Sequence, residues 1–358
     1  VNVKAALVLE DGTVFEGLAF GKAGEAFGET VFYTGVVGYQ EVVTNPSYRG
    51  TLVCLTYPMI GSYGVNAADN ESPRGQAAGI IIRDYSRRYS NFRATGAFED
   101  FLCERGVVGV RGVDTRVVAV HLRENGEMRG MIVTGDFDRK AVAAKMKEKA
   151  SPFEKDLARD WSVRQLEGRA GEKVLLLDAG ATLSLVGQLG DLGFTGRDGA
   201  LDTARARDET QRVDMSGAVG LIAAGGPGDP RNANGATSAL KSAIGKLPVL
   251  GVGLGHQLVA LVLGCKVTRM KAGHHGVNHS VRDLEASRCI ITEQHHSFTV
   301  EKSVPKGVEV THTNVNDGTV EGVWSRGLKA RGVQFELGRD DIGAPSAILR
   351  RLAEGAYA

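Results

Sequence analysis

The sequence predicts an α/β protein in two parts, a β-rich N-terminal domain followed by an open, mostly parallel α/β sheet. Three observations carry this. From Val3 to about Thr134, short β-prone runs are punctuated by glycine. From Asp136 to Arg169 the composition turns charged, as in RKAVAAKMKEKASPFEKD. From Lys173 onward the rhythm is apolar strand, short turn, helix, which is how parallel sheets are built. At 358 residues the chain exceeds the usual size of one domain, so we divide it at 1–135, a connector at 136–171, and 172–358.

The first strand is KAALVLE, followed by the turn Asp11-Gly12 and the strand TVFEGLAF. One helix is expected from Thr115, because Val118, His121 and Leu122 share a face and Asp114 is a good cap. A second runs from Ala97 to Arg105. The connector has no apolar run long enough for a buried strand and reads as helical and solvated. Beyond it come the strand VLLLDAG, the helix TLSLVGQLGDLG, the strands VGLIAAGG and PVLGVG, and the helix LGHQLVALVLG.

Composition narrows the function. Lysine plus arginine total 43 against 42 acidic residues, a net charge of +1 that leaves no basic excess for a phosphate backbone, so nucleic acid is not expected as a partner. Apolar residues at 42% fit a folded globular chain. No apolar run reaches the roughly 20 residues that span a bilayer, and VNVKAALVLEDG reads as a strand rather than a signal peptide. The four cysteines, Cys54, Cys103, Cys265 and Cys289, form no C-x-x-C pair, which fits a reducing, cytoplasmic setting.

In an open parallel sheet, ligands gather at the carboxyl ends of the strands, here the turns after VGLIAAGG and PVLGVG. Gly225-Gly226-Pro227-Gly228-Asp229-Pro230 combines backbone freedom with stiff prolines and reads as an ordinary tight turn or a ligand loop. Gly251-Val252-Gly253-Leu254-Gly255-His256-Gln257 has two functional readings. A phosphate cradle lacks the G-x-G-x-x-G spacing, since the third glycine comes one residue early. A nucleophile elbow fits the small neighbours, but its apex, Gly253, has no side chain. His274, His275 and His279, with His295 and His296, are read as hydrogen-bonded histidines, and no metal is assigned to them.

Longer segments carry a resemblance. Gly28-ETVFYTGVVGYQEVVTNPSYRGTLVCLTYPMIGSYGVN, ending at Asn66, together with Ser90-NFRATG and Gly112-VDTRVVAVHLRENGEMRG, resembles the N-terminal domain of carbamoyl-phosphate synthetase small subunits. GGPGDP, LGHQL, Met270-KAGHHGVNH and Thr313-NVNDGTVEG resemble, in order, the class I glutamine amidotransferase domain of that subunit. The resemblance covers about residues 3 to 350. It implies an α/β amidotransferase sheet in the second part and a subunit that hydrolyses glutamine and passes ammonia to a large subunit. That partner uses ATP and magnesium to make carbamoyl phosphate for pyrimidines and arginine, and no cofactor is expected on this chain.

The family chemistry needs a thiolate, a histidine and a carboxylate. The family's elbow is G-x-C-x-G-H-Q, and Gly253 stands at its cysteine. At the family's histidine and glutamate stand Glu336 and Gly338, with Leu337 in place of the intervening proline. Ser47, Gly226, Gly228, Leu254, Gln257 and Phe298 fall on positions that hold glutamine or form the oxyanion hole in the family. His295 and Ser297 fall on such positions too but differ from the usual asparagine and glycine. Thr182 replaces a lysine in the turn after Asp178. One exchange alone reads as a trap; three with Thr182 read as a degenerate domain. Cys265 lies about three helical turns, roughly 15 Å, from the apex, and Cys54 and Cys289 sit in apolar runs where a thiol is usually buried.

The leading expectation is thus a small-subunit-like pseudoenzyme that supports carbamoyl phosphate formation without its own glutaminase. A working glutaminase with non-standard residues, glycine loops that hold a nucleotide or anion, and a stand-alone scaffold are the alternatives.

Overall fold

The computed structural model describes residues 3–159, 162–168, 173–194, 214–338, 344 and 346–353. Its contacts divide the chain into two compact units, Val1–Lys155 with Met270–Gly276, and Asp156–Arg269 with Val277–Ala358.

In the first unit the chain runs β1 (Lys4–Leu9), β2 (Val14–Gly21), β3 (Glu25–Tyr33), α1 (Tyr39–Thr44), β4 (Thr51–Leu55), β5 (Met59–Ile60), β6 (Gly79–Ile81) and β7 (Asp84–Tyr85). Then come α2 (Phe98–Arg105), β8 (Val108–Arg111), α3 (Thr115–Asn125), β9 (Met128–Thr134) and α4 (Arg139–Lys147). Seven strands close into a barrel in the order β1-β2-β8-β6-β4-β3-β9, with β9 returning to β1. Strand β1 reads as an unbroken apolar run because both of its faces are buried. Ala5, Leu7 and Leu9 join a cluster with Val118 and Leu122 of α3, while Ala6 and Val8 join one with Val142 and Met146 of α4.

The cap on α3 is as expected: the Asp114 carboxylate accepts from the N–H groups of Arg116 and Val117. His121 is not a core residue of that helix. It stands at the edge of the apolar face, with Nε2 2.6 Å from the Asp11 carboxylate. The stretch Met270–Gly276, expected in the second part, belongs to this unit because its backbone is bonded there. Thr34 N–H donates to His275 O (2.9 Å), Glu127 N–H to Lys271 O (2.8 Å), and Gly273 N–H to the Glu127 carboxylate (2.6 Å).

The second unit begins with β10 (Ser162–Glu167), β11 (Lys173–Asp178), α5 (Leu183–Asp191), β12 (Ala218–Ala223), α6 (Asn234–Ala243), β13 (Val249–Val252) and α7 (Leu254–Val262). It continues through β14 (Val267–Asp283), β15 (Arg288–Val300), β16 (Glu309–Asn314), β17 (Val320–Ser325), β18 (Ala330–Val333) and α8 (Ala347–Ala353). These strands form one nine-stranded sheet, β10-β11-β12-β13-β18-β17-β15-β14-β16. The α/β expectation holds, and the parallel pairing runs through β11-β12-β13-β18. Antiparallel strands extend this core on both sides, starting with β10 against β11 and β17 against β18.

Alternate residues of the central strands feed two cores. Val174 and Leu176 pack with α5 and α8, through Leu185, Leu189, Leu349 and Leu352. Leu175 and Leu177 pack with α6 and α7, through Leu240, Leu258 and Val259. Helices on both faces thus explain why these strands are apolar throughout.

The reading of residues 136–171 as helical and solvated needs correction. Helix α4 buries Val142 and Met146, one turn apart, and β10 is an edge strand whose Leu166 is fully buried. An edge strand needs few apolar residues, so the run was too short to signal it. Residues 160–161 and 169–171 of that span lie outside the described residues.

Candidate active site

The elbow forms as the glycine spacing predicts. Strand β13 ends at Val252, α7 starts at Leu254, and Gly253 between them has φ 57° and ψ −117°, a conformation that suits glycine. Its N–H donates to Val333 O of β18 (3.0 Å), and its carbonyl accepts from His256 N–H (3.1 Å). The flanking glycines serve a different end. A Cβ on Gly251 would lie 2.4 Å from Gly255 O, and one on Gly255 would lie 2.0 Å from Ala223 O. Helix α7 can approach β12 and β13 this closely only without those side chains. At Gly253 a Cβ would meet only ordinary neighbours, Gly225 Cα at 3.4 Å and Glu336 Oε1 at 3.7 Å.

Glu336 reaches that point from the irregular segment just beyond the end of β18. Its neighbours Phe335 and Leu337 are buried in the core, which turns the side chain between them the other way. The Glu336 N–H donates to Glu293 O of β15 (2.9 Å), which fixes the segment. The acceptor facing the elbow apex is therefore a carboxylate. Gly338, two residues on, is exposed, and a Cβ there would meet nothing within 4 Å.

The other singled-out residues of this unit fall into three groups. Gly226 and Gly228 shape the loop after β12: a Cβ on Gly226 would lie 2.8 Å from Ala179 O, and Gly228 has φ +89°. The loop is stiffened by Asp229, whose carboxylate takes the Arg231 guanidinium at 2.6–3.0 Å. That guanidinium stands 5.5 Å from the Phe298 ring centre, and the carboxylate bond holds its charge more firmly than usual. Leu254 and Gln257 stand on α7, and the buried Gln257 amide donates to Phe298 O (2.8 Å) and Gln334 Oε1 (2.9 Å). It ties α7 to β15 and to the segment after β18.

His295 and Ser297 lie on β15. His295 Nε2 is 2.8 Å from Glu293 Oε1. Burial raises the affinity of Glu293 for its proton, but the His295 hydrogen bond and charge outweigh it and hold the carboxyl below its usual range. Ser47 stands in the other unit, in the 3₁₀ turn Pro46–Tyr48, where its N–H donates to the Asn45 side chain (2.9 Å). Thr182 caps α5 by accepting from Leu185 N–H.

Two partners went unremarked as site residues in the sequence. Arg231 follows Asp229 by two residues in a Pro-containing turn, a spacing that suits a bidentate pair. Gln334, adjoining the apolar pair of β18, is recognisable only once α7 is laid beside it. His256 is fully buried beside Gly332, and burial pushes its pKa down to about 3, so the ring is neutral. Cys289 corrects an expectation: it is exposed at the start of β15, four residues or roughly 13 Å of strand from Glu293. Cys54 and Cys265 are buried, and burial raises both thiols.

The comparisons fit this geometry. Residues 7–132 match the family model "Carbamoyl-phosphate synthase small chain, CPSase domain", and residues 175–336 match "Glutamine amidotransferase class-I". The carbamoyl phosphate synthase small chain of Rhodopirellula baltica is 37% identical over 356 residues, covering 92% of this chain and 90% of its own. That of Clostridium perfringens is 38% identical, covering 93% of each, and that of Xylella fastidiosa 40% identical, covering 89% of each.

The chain belongs to the carbamoyl-phosphate synthase small chain family. The small chain family frames both units. The barrel contains the CPSase match, and the elbow and the loop after β12 lie within the amidotransferase match. Among the described residues no helix is long and apolar enough to cross a membrane.

Proposed function

We propose that this small chain works with a large, ATP-using subunit in carbamoyl phosphate formation, and that its own glutamine hydrolysis is lost. The observation that carries this is the pairing at the elbow: an apex without a side chain, Gly253, faced by the carboxylate of Glu336. Amide hydrolysis through an acyl-enzyme needs a nucleophile to attack the carbonyl and a base that returns the proton to the leaving ammonia. Gly253 supplies no nucleophile. Glu336 carries no imidazole, the ring that in triad enzymes takes the nucleophile's proton and returns it to the leaving group. In triad enzymes, loss of the nucleophile alone costs on the order of a million-fold, with about 10³ to 10⁴ over water left from binding and oxyanion stabilisation.

None of the three described thiols singled out in the sequence replaces the missing one. Cys54 and Cys265 are buried, Cys265 beyond the far end of α7, and burial raises both thiols, while Cys289 is exposed at the start of β15, four residues from Glu293. The loop of Gly226 and Gly228 and the elbow remain built, which supports retention of the fold for assembly. Ammonia, in this reading, comes from solution or from another source.

Assay of the complex with its cognate large subunit tests this. Carbamoyl phosphate should form with ammonium and not with glutamine, and no glutamate should be released above a heat-denatured control. Glutamate release by the unmodified chain, with an adduct trapped on another residue, would overturn it.

A further inference from the structure

The amide groups of the elbow turn are mostly bonded within the chain. Gly253 N–H donates to Val333 O (3.0 Å), Gly255 N–H to Ala224 O (3.1 Å), and His256 N–H to Gly253 O (3.1 Å), with Gln257 N–H directed at the same Gly253 carbonyl (3.4 Å). In the turn from Gly253 to Gln257, only Leu254 N–H has no partner among the described residues. The start of α7 therefore offers an anion a single backbone donor, where anion sites at helix starts use several.

Acceptors outnumber donors here. A Cβ on Gly253 would lie 3.7 Å from Glu336 Oε1 and 4.0 Å from Gln334 O, so a carboxylate oxygen and a backbone carbonyl face the apex from the segment after β18. A third acceptor stands on α7. Gln257 is 2% exposed, and the hydrogens of its amide nitrogen go to Phe298 O (2.8 Å) and Gln334 Oε1 (2.9 Å). Both of those partners are acceptors, which fixes the nitrogen end of the amide and leaves Gln257 Oε1 without a partner among the described residues. An acceptor so enclosed calls for a donor.

A carboxylate, a carbonyl and an amide oxygen together select a cation that only donates. Ammonium suits so few acceptors better than a metal ion does, since hard metal ions take about six or more oxygen ligands. We propose that the elbow binds an ammonium ion between Gly253 and the Glu336 carboxylate, with Gln334 O as a further acceptor and Gln257 Oε1 on the α7 side. A glycine apex leaves the approach to Glu336 open, and a carboxylate has about four acceptor positions, enough for this bond beside others that it makes. The proposal rests on the reading of lost glutamine hydrolysis above and names the nitrogen species that the same site takes instead.

The test is thermal melting of the full chain in ammonium chloride against sodium and potassium chloride at equal ionic strength, with Glu336→Gln alongside. Ammonium at roughly ten times its Kd should raise the wild-type melting temperature by about 2–5 °C beyond sodium. Potassium should raise it less than ammonium, and Glu336→Gln, which keeps the shape of the side chain, should melt alike in all three salts. Thallium(I), close to ammonium in size, should give an anomalous diffraction peak between Gly253 and Glu336 in wild-type crystals, a readout that needs no variant. A wild type indifferent to ammonium, an ammonium effect that survives Glu336→Gln, potassium that stabilises as well as ammonium, or the absence of that thallium peak overturns the site. Carbamoyl phosphate formation from ammonium with the cognate large subunit would then leave the function proposed above standing. Glutamate release from glutamine by the unmodified chain removes that reading and this proposal together.

Discussion

The turn between β13 and α7 and the segment after β18 border the same elbow, and they differ in what the local structure demands. In the turn, Gly251 and Gly255 are fixed by contact, because a Cβ would come within 2.4 Å and 2.0 Å of backbone oxygens. After β18 the side chains alternate between core and elbow, with Phe335 and Leu337 buried and Glu336 facing Gly253. Packing holds the first region and leaves the exposed position 338 of the second unconstrained. The difference teaches that the glycines that shape an elbow and the side chains that face it answer to separate constraints.

Substitutions at two of the elbow glycines are the strongest way to break this comparison. Gly255→Ala places a methyl against Ala223 O and should prevent α7 from seating, destabilising the unit by about 3 kcal/mol or more. Gly253→Ala meets no neighbour closer than 3.4 Å and pays only the strain of its φ of 57°, roughly 1–2 kcal/mol. Denaturant unfolding of the two variants checks the ranking. Equal losses would mean that the apex is packed as tightly as its flanks.

Restoring the reacting groups sharpens the same contrast. The triple variant Gly253→Cys, Glu336→His, Gly338→Glu should release glutamate from glutamine at a measurable rate, while each single change stays at background. The geometry favours it: position 336 already faces the apex at 3.7 Å from its would-be Cβ, and position 338 has open space. The members of such a triad act as a unit, which is why single changes should not help. His295, paired with Glu293 on β15, and Ser297 are left unchanged in this variant, so recovery should be partial. Full activity from Gly253→Cys alone would show that the carboxylate was not the obstacle.

Much of this was legible in the sequence, for identifiable reasons. The parallel core announces itself because both faces of β11, β12 and β13 are buried, giving runs such as VLLLD. Asp114 signalled the start of α3 because capping is local chemistry. Closure of the seven strands into a barrel was not legible, since pairing of β1 with β9 joins residues more than 120 apart and leaves no periodic trace. Strand β10 was missed because an edge strand buries little, and Cys289 was misjudged because burial was inferred from its apolar neighbours, Ile290 and Ile291, although Ile291 is itself exposed. The difference between Gly253 and its two flanking glycines is invisible in GVGLG: only the positions of Ala223 O and Gly255 O reveal it.

The smallest expected effect concerns His256, the residue that follows the elbow glycines into α7. It is fully buried, and burial pushes its pKa from the usual 6.5 down to about 3. A histidine whose folded pKa is lowered stays neutral in the native state while the unfolded chain takes up a proton below about pH 6.5. The unfolded state then binds more protons, so stability present above pH 6.5 is lost progressively as pH falls toward 3. The slope is about 1.4 kcal/mol per pH unit for one such proton. His312, on β16, adds to the same trend: burial is the leading cause that lowers its pKa to about 4. The melting temperature of the amidotransferase-like unit should therefore drop between pH 6.5 and pH 4, before most carboxylates titrate. His256→Asn, which removes one titrating ring from beside Gly332, should lower stability at pH 7 and make its fall with acid shallower. An unchanged acid slope in that variant would place the proton uptake elsewhere and leave the elbow helix insensitive to pH.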